Sequence, residues 1–154
     1  MSFPDNSLNS YAKRDPSVPD REALLFANEA FYLAFADRDM EAMEATWSAT
    51  APVACIHPGW GVLTGRDEVL ESWAAIIANP DSPTIRVHAP EPHLYGELGF
   101  VVCYEEIAGQ YLIATNIFIR DGSVWRMVHH QAGPTTVVPE PGEGVNELPP
   151  DRLN

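Results

Sequence analysis

Two adjacent histidines, His129 and His130, sit in the stretch "VWRMVHHQAG" just before the chain turns proline-rich. Imidazole titrates near neutral pH and ligates metals, so such a pair suggests either a metal site or proton transfer. Strand geometry discriminates between the two. Successive side chains on a strand point to opposite faces, which puts Trp125, Met127, His129 and Gln131 on one side and Val128, His130 and Ala132 on the other. Back-to-back rings cannot chelate one ion, and the chain contains no H-x-H, H-x-x-x-H or C-x-x-C spacing. No metal site is expected.

Two further groups have residue types suited to moving protons. His57 stands in "CIHPGW", at the end of a short strand and ahead of a Pro-Gly turn that brings Trp60 close. Glu106 is the second member of a Glu105-Glu106 pair. If it points into an apolar cavity, desolvation raises its pKa and makes it a general base or acid; otherwise the pair is solvated surface charge. The competing structural reading is a hydrogen-bonded histidine on a strand, with Trp47, Trp73 and Trp125 serving as packing residues. Cys55 and Cys103 lie inside apolar runs, where a reduced thiol behaves as a small hydrophobe, and no flanking group lowers either pKa.

Positioning these groups requires a fold, and 154 residues with 45% hydrophobic composition suffice for one packed domain. Residues 1–19 and 134–154 are polar and proline-rich and read as an arm and a tail flanking a domain over 20–133. From Asp20, Leu24, Ala27, Phe31, Ala34 and Phe35 recur at helical spacing, with Phe26, Ala30 and Leu33 widening the stripe. Asp39 is a plausible N-cap for a short second helix through Trp47. A strand broken at Pro58-Gly59 follows, and then a third helix, with Thr64 and Asp67 as a variant capping box and Asn79-Pro80 as its stop. Four strands over roughly 84–95, 98–108, 111–120 and 123–132 are joined by "GELG", "AGQ" and "DGS", connections suited to antiparallel hairpins. Helices first and a strand meander after them indicate an α+β domain in which helices cover a curved sheet.

Nine Lys and Arg against 22 Asp and Glu give a formal charge of -13, a surface that repels phosphate backbones and anionic lipid. Nucleic acid and membrane are not expected partners. No run approaches the ~20 apolar residues of a membrane span, and the N-terminus lacks an apolar stretch after its charges, so a cytoplasmic protein is expected.

In the order and spacing of "AFADRDMEAMEATW", "CIHPGWGVLTGRDEVLESW" and "TNIFIRDGSVWRMVHHQAGP", the chain from Asp20 to Pro134 resembles the nuclear transport factor 2-like superfamily. It looks most like the SnoaL-like members and the calcium/calmodulin-dependent kinase association domain. The resemblance implies a cone-shaped α+β fold with three N-terminal helices on a strongly curved antiparallel sheet, a homodimer packed through the sheet face, and a pocket between helices and sheet. It does not imply one activity. Pocket arginines of the association domain correspond here to Glu106, Asn116 and Ala132, so that domain's carboxylate binding is not expected. The same comparison places Tyr104, Glu106, Asn116, Phe118 and His130 on the concave face, and His129 and Trp125 on the side toward a partner subunit.

The resulting expectation is a small, largely apolar molecule in the cone. His57, Glu106 and His130 are the candidate catalytic groups, and Tyr32, Trp47, Trp60, Tyr104, Asn116 and Phe118 the ligand-binding ones. No cofactor is expected. The chemistry would be of isomerase, cyclase or dehydratase type, and the alternative is a non-catalytic ligand-binding or assembly domain.

Overall fold

The computed structural model describes residues 17–140. Three helices, α1 (Ser17–Ala36), α2 (Met40–Thr46) and α3 (Arg66–Ala78), accompany six strands: β1 (Ala54–Ile56), β2 (Leu63–Thr64), β3 (Arg86–Tyr95), β4 (Leu98–Ile107), β5 (Gln110–Asp121) and β6 (Val124–Thr135). The strands form one sheet in the order β2-β1-β6-β5-β4-β3. Every pairing is antiparallel except β1 with β6. This is the expected α+β arrangement. Helix α1 begins three residues before Asp20 and β6 runs two residues past Gly133. Residues 136–140 of the expected tail follow β6 without helix or strand, and the rest of the arm and tail lies outside the described residues.

Leu24, Asn28, Phe31, Tyr32 and Phe35 form the buried stripe of α1, spaced to present one face to the sheet. Phe26, expected to widen that stripe, is instead 70% exposed. Gly99 on β4 allows α1 to come close, since a Cβ there would stand 2.8 Å from Leu24 Cδ2. Asp39 caps α2 as expected, its carboxylate accepting from the Ala42 N–H at 3.0 Å. Helix α3 departs from expectation at its start. Its N-cap is Gly65 at φ 86°, and Glu68 rather than Asp67 reaches back, accepting from the Thr64 N–H at 2.9 Å. Thr64 stands one residue before the N-cap and two before the first helical residue, so its side chain does not cap the helix.

Two features of the sheet set which side chains face inward. The β4–β5 hairpin turns on Ala108 and Gly109, both with positive φ, and fixes a register that aligns Glu105 with Leu112, Cys103 with Ala114 and Val101 with Asn116. In β6 the register shifts: Phe118 pairs Met127, whereas Ile117 pairs His129, leaving Val128 as the extra residue of a bulge. The bulge turns both halves of β6 inward, so Trp125 and Met127 are buried together with His130 and Ala132. The partner-facing position expected for Trp125 is therefore corrected, since its indole is 4% exposed against the core.

Candidate functional site

Inside the fold, polar side chains from α1, β4, β5 and β6 meet in an otherwise apolar core. Asn116, fully buried on β5, is the hub. Its Nδ2 donates to Asn28 Oδ1 at 2.8 Å and to the Tyr32 hydroxyl at 3.1 Å. That commits Asn116 Oδ1 as an acceptor, and His130 Nδ1 lies 2.5 Å from it. His130 must therefore carry its proton on Nδ1 and present Nε2 as an unprotonated nitrogen. The Tyr32 hydroxyl in turn donates to Glu105 Oε2 at 2.6 Å, and the Cys103 thiol stands 3.3 Å from it. The donors run in one direction, from His130 through Asn116 and Tyr32 to Glu105.

A second polar pair flanks this chain. Ser72 on α3 donates its single hydroxyl hydrogen to the Val69 carbonyl at 2.6 Å, so its oxygen can only accept from His57 Nε2, 2.9 Å away. His57 thus holds the opposite tautomer, with Nδ1 unprotonated. Trp73 bridges the two imidazoles, its ring centroid 4.7 Å from His57 and 5.7 Å from His130. Phe31 packs on the other side of His130 at 5.0 Å. Trp60, 51% exposed, lies edge-on to His57 at 4.8 Å. An aromatic column thus runs from solvent at Trp60 through His57 and Trp73 to His130.

Burial sets the protonation states. It pushes the pKa of His57 down to about 4 and that of His130 to about 3, the latter helped by the nearby His57 and His129, so both rings are neutral near pH ~7. The Glu105 carboxyl is pushed up by burial, with the Tyr32 hydrogen bond opposing part of the rise. The Tyr32 phenol moves well up through burial and through the adjacent Cys103 and Glu105. Burial drives the Cys55 and Cys103 thiols up to about 12, so neither is a ready nucleophile. Both are free.

Among the sequence-derived candidates, His57, His130, Tyr32 and Asn116 belong to this cluster. Phe118 and Trp47 are fully buried, and Trp60 stands over His57. Tyr104 and Glu106 do not reach the cluster. They lie on the outer sheet face, where Glu106 meets His88 Nε2 at 3.1 Å and the Tyr111 hydroxyl at 3.4 Å. The inward positions of β4 are Cys103 and Glu105, one residue earlier in each case. Asn28, Ser72 and Trp73 were also not singled out; Asn28 and Tyr32, one helical turn apart on α1, were a legible signal.

The cluster is closed over: Asn28, Tyr32, His57, Ser72, Glu105, Asn116 and His130 are all buried. A separate cavity of about 100 Å³, lined by Phe35, Arg38, Ile77 and Ser82 among others, contains none of the candidates. Among the described residues, no three His, Cys, Asp or Glu side chains are grouped to hold a metal ion. No helix among them is long and apolar enough to cross a membrane.

A six-stranded sheet with three helices on its inner face and a buried polar cluster between them is the cone architecture called nuclear transport factor 2-like or cystatin-like. The chain belongs to the SnoaL-like domain family, which it matches over residues 25–136. A candidate dehydratase of the nuclear transport factor 2-like family from Streptomyces avermitilis is 33% identical, with a TM-score of 0.70 over 77% of this chain and 97% of that one. A candidate calcium/calmodulin-dependent protein kinase type II association domain from Thiobacillus denitrificans is 30% identical, with a TM-score of 0.64 over 71% of this chain and 93% of that one. A cystatin-like fold protein from Nostoc punctiforme, at 12% identity, has a TM-score of 0.65 over 79% and 96% of the two chains and shares the fold. Among curated relatives, the F-box protein SKIP8 of Arabidopsis thaliana is 27% identical over 112 residues, 71% of this chain. The match spans about half of that relative, 48% of its length.

Proposed function

We propose that this chain is a small-molecule acid–base enzyme of dehydratase type, acting on an uncharged, largely apolar hydroxy-carbonyl compound held at His130. The observation that carries this reading is the one-directional hydrogen-bond chain ending at an unprotonated imidazole nitrogen in an apolar interior. Its support from outside the chain is the Streptomyces avermitilis candidate dehydratase, 33% identical.

The chemistry requires no group beyond the side chains present. His130 Nε2 takes the proton α to the carbonyl, and its C–H electron pair becomes the new C=C bond as the β-C–OH bond breaks. The departing hydroxide takes the proton from the imidazolium and leaves as water. A ring with a pKa of about 3 is proton-free at neutral pH and gives a received proton back readily, and a bound substrate that faces the imidazolium must raise that value toward the working pH for the ring to act as a base. Asn116 holds the ring and its tautomer, while Tyr32 and Glu105 anchor Asn116. Trp60, half exposed and edge-on to His57, is the solvent-facing end of the aromatic column, and entry past this pair is part of the proposal.

Diacetone alcohol is a suitable first substrate, because its dehydration product absorbs in the ultraviolet. Enone formation by wild type, lost in His130→Ala and retained in Glu106→Gln, supports the proposal. No turnover of this or related β-hydroxy ketones by wild type counts against it.

A non-catalytic role has its own support: the cluster's closure, and the 30% identity to a candidate kinase association domain. Under that reading ligands bind without turnover, or the network is structural. Either way, we propose a homodimer through the outer sheet face. Phe100, Ile117 and His129 align across β4, β5 and β6 on that face, beside the 39% exposed Ile113. An Ile117→Glu variant sedimenting as monomer beside a dimeric wild type would support this.

A further inference from the structure

Trp73 is 4% exposed and holds the centre of the aromatic column, touching His57, His130, Phe31 at 5.3 Å and Phe35 at 6.0 Å. Its indole nitrogen is nevertheless buried without a hydrogen-bond partner. The Cys55 thiol is close enough for the N–H to restrain the rise of its pKa. The contact falls short of hydrogen-bond geometry, and a protonated thiol is a weak acceptor. Buried donors are nearly always satisfied, so an orphan in a polar cluster needs an explanation.

The remaining polar groups are already engaged. Asn28, Tyr32, Ser72, Glu105 and Asn116 all have partners, as does one nitrogen of each histidine. The unengaged groups include the second nitrogen of each imidazole, which accepts, and the Trp73 N–H, which donates. No lysine or arginine belongs to the cluster, so an anionic ligand would find no countercharge there.

We infer that the Trp73 indole N–H is the donor that receives the carbonyl oxygen of an uncharged ligand, with the two imidazole nitrogens facing the ligand's own donors. This rests on the small-molecule reading above and extends it: Trp73 becomes the residue that selects an oxygen acceptor. A carbonyl held there would also meet the N–H as negative charge develops on its oxygen.

Acetophenone and α-methylstyrene provide the test, being nearly isosteric but differing in C=O against C=CH₂. Their affinities for wild type and Trp73→Phe are measured by ligand-observed NMR, with thermal melting checking that the variant folds. The ratio of ketone to alkene affinity should fall about tenfold in Trp73→Phe, the worth of one neutral hydrogen bond, while alkene affinity is retained. An unchanged ratio overturns the role of Trp73 and leaves the small-molecule reading standing. Failure of wild type to bind either compound overturns both. A second readout needs no variant: in ¹⁵N-labelled wild type, the Trp73 indole N–H resonance should move downfield with acetophenone and not with α-methylstyrene. A resonance that responds equally to both contradicts the inference.

Discussion

Asn116 Oδ1 and His130 Nδ1 stand 2.5 Å apart across the β5–β6 ladder, and that contact determines which nitrogen of the imidazole is left unprotonated. The amide can accept there only because its Nδ2 is already committed to Asn28 and Tyr32 on α1. One helix, packed on one sheet, thus sets the chemistry of a ring on a strand it meets only through side chains.

Replacing Asn116 by Leu keeps the volume and removes the hub. His130 Nδ1–H and Asn28 Oδ1 would then be buried without partners. A loss of roughly 2–4 kcal/mol is expected in urea denaturation at neutral pH. An unchanged midpoint would mean that the network contributes nothing to the fold.

The tautomers are directly observable. Histidine ¹⁵N shifts should report the proton of His130 on Nδ1 and that of His57 on Nε2, in opposite senses. Neither ring should titrate between about pH 5.5 and pH 8, given folded values well below the ordinary ~6.5. Matching tautomers for the two rings would contradict the hydrogen-bond directions assigned to Ser72 and Asn116.

Acid should destabilise the protein for the same reason. Both histidines titrate near 6.5 when unfolded and at about 4 and about 3 when folded, so between these values the unfolded chain binds more protons. Their contribution to stability is intact above the unfolded value and is lost as pH falls below it. Each ring should cost roughly 2 kcal/mol by about pH 4.5, read from denaturation midpoints. A flat profile over that range would place both rings in solvent.

Glu105 and its neighbour Glu106 should behave differently. The raised pKa of Glu105 means stability that is present below its unfolded value and lost as pH rises through the folded one. Glu105→Gln keeps an acceptor for Tyr32 and removes the buried charge. It should weaken the decline in stability above about pH 5 without unfolding the protein. Glu106→Gln, on the outer face, should stay within about 0.5 kcal/mol of wild type at neutral pH. Equal effects from the two substitutions would reverse the strand parity described here.

Helices, hairpins and strand count were legible because each had a local signal: the α1 stripe, the Asp39 cap, and Gly-containing turns between alternating strands. The family resemblance also brought Asn116 and His130 to the inner face correctly. The choice between Glu105 and Glu106 went the wrong way because "FVVCYEEI" is apolar or aromatic on both parities, so hydrophobicity cannot select a face. The information was present in the turn. A two-residue loop at Ala108-Gly109 pairs Ile107 with Gln110, and counting back aligns Asn116 with Val101, hence with Cys103 and Glu105. The bulge at Val128 had no comparable mark, and without it Trp125 and His130 fall on opposite faces. Ser72 and Trp73 were illegible as site residues because their roles depend on where α3 lies against β1, a long-range contact with no local trace.

The central claim, that His130 is a base facing a bound carbonyl compound, is tested most directly by hydrogen–deuterium exchange at the α-carbons of cyclohexanone in D₂O, followed by ¹H NMR. Wild type should accelerate exchange over buffer, with the acceleration reduced about a hundredfold or more in His130→Ala and unaffected in Glu106→Gln. Exchange no faster than buffer with wild type, or undiminished in His130→Ala, would contradict the account.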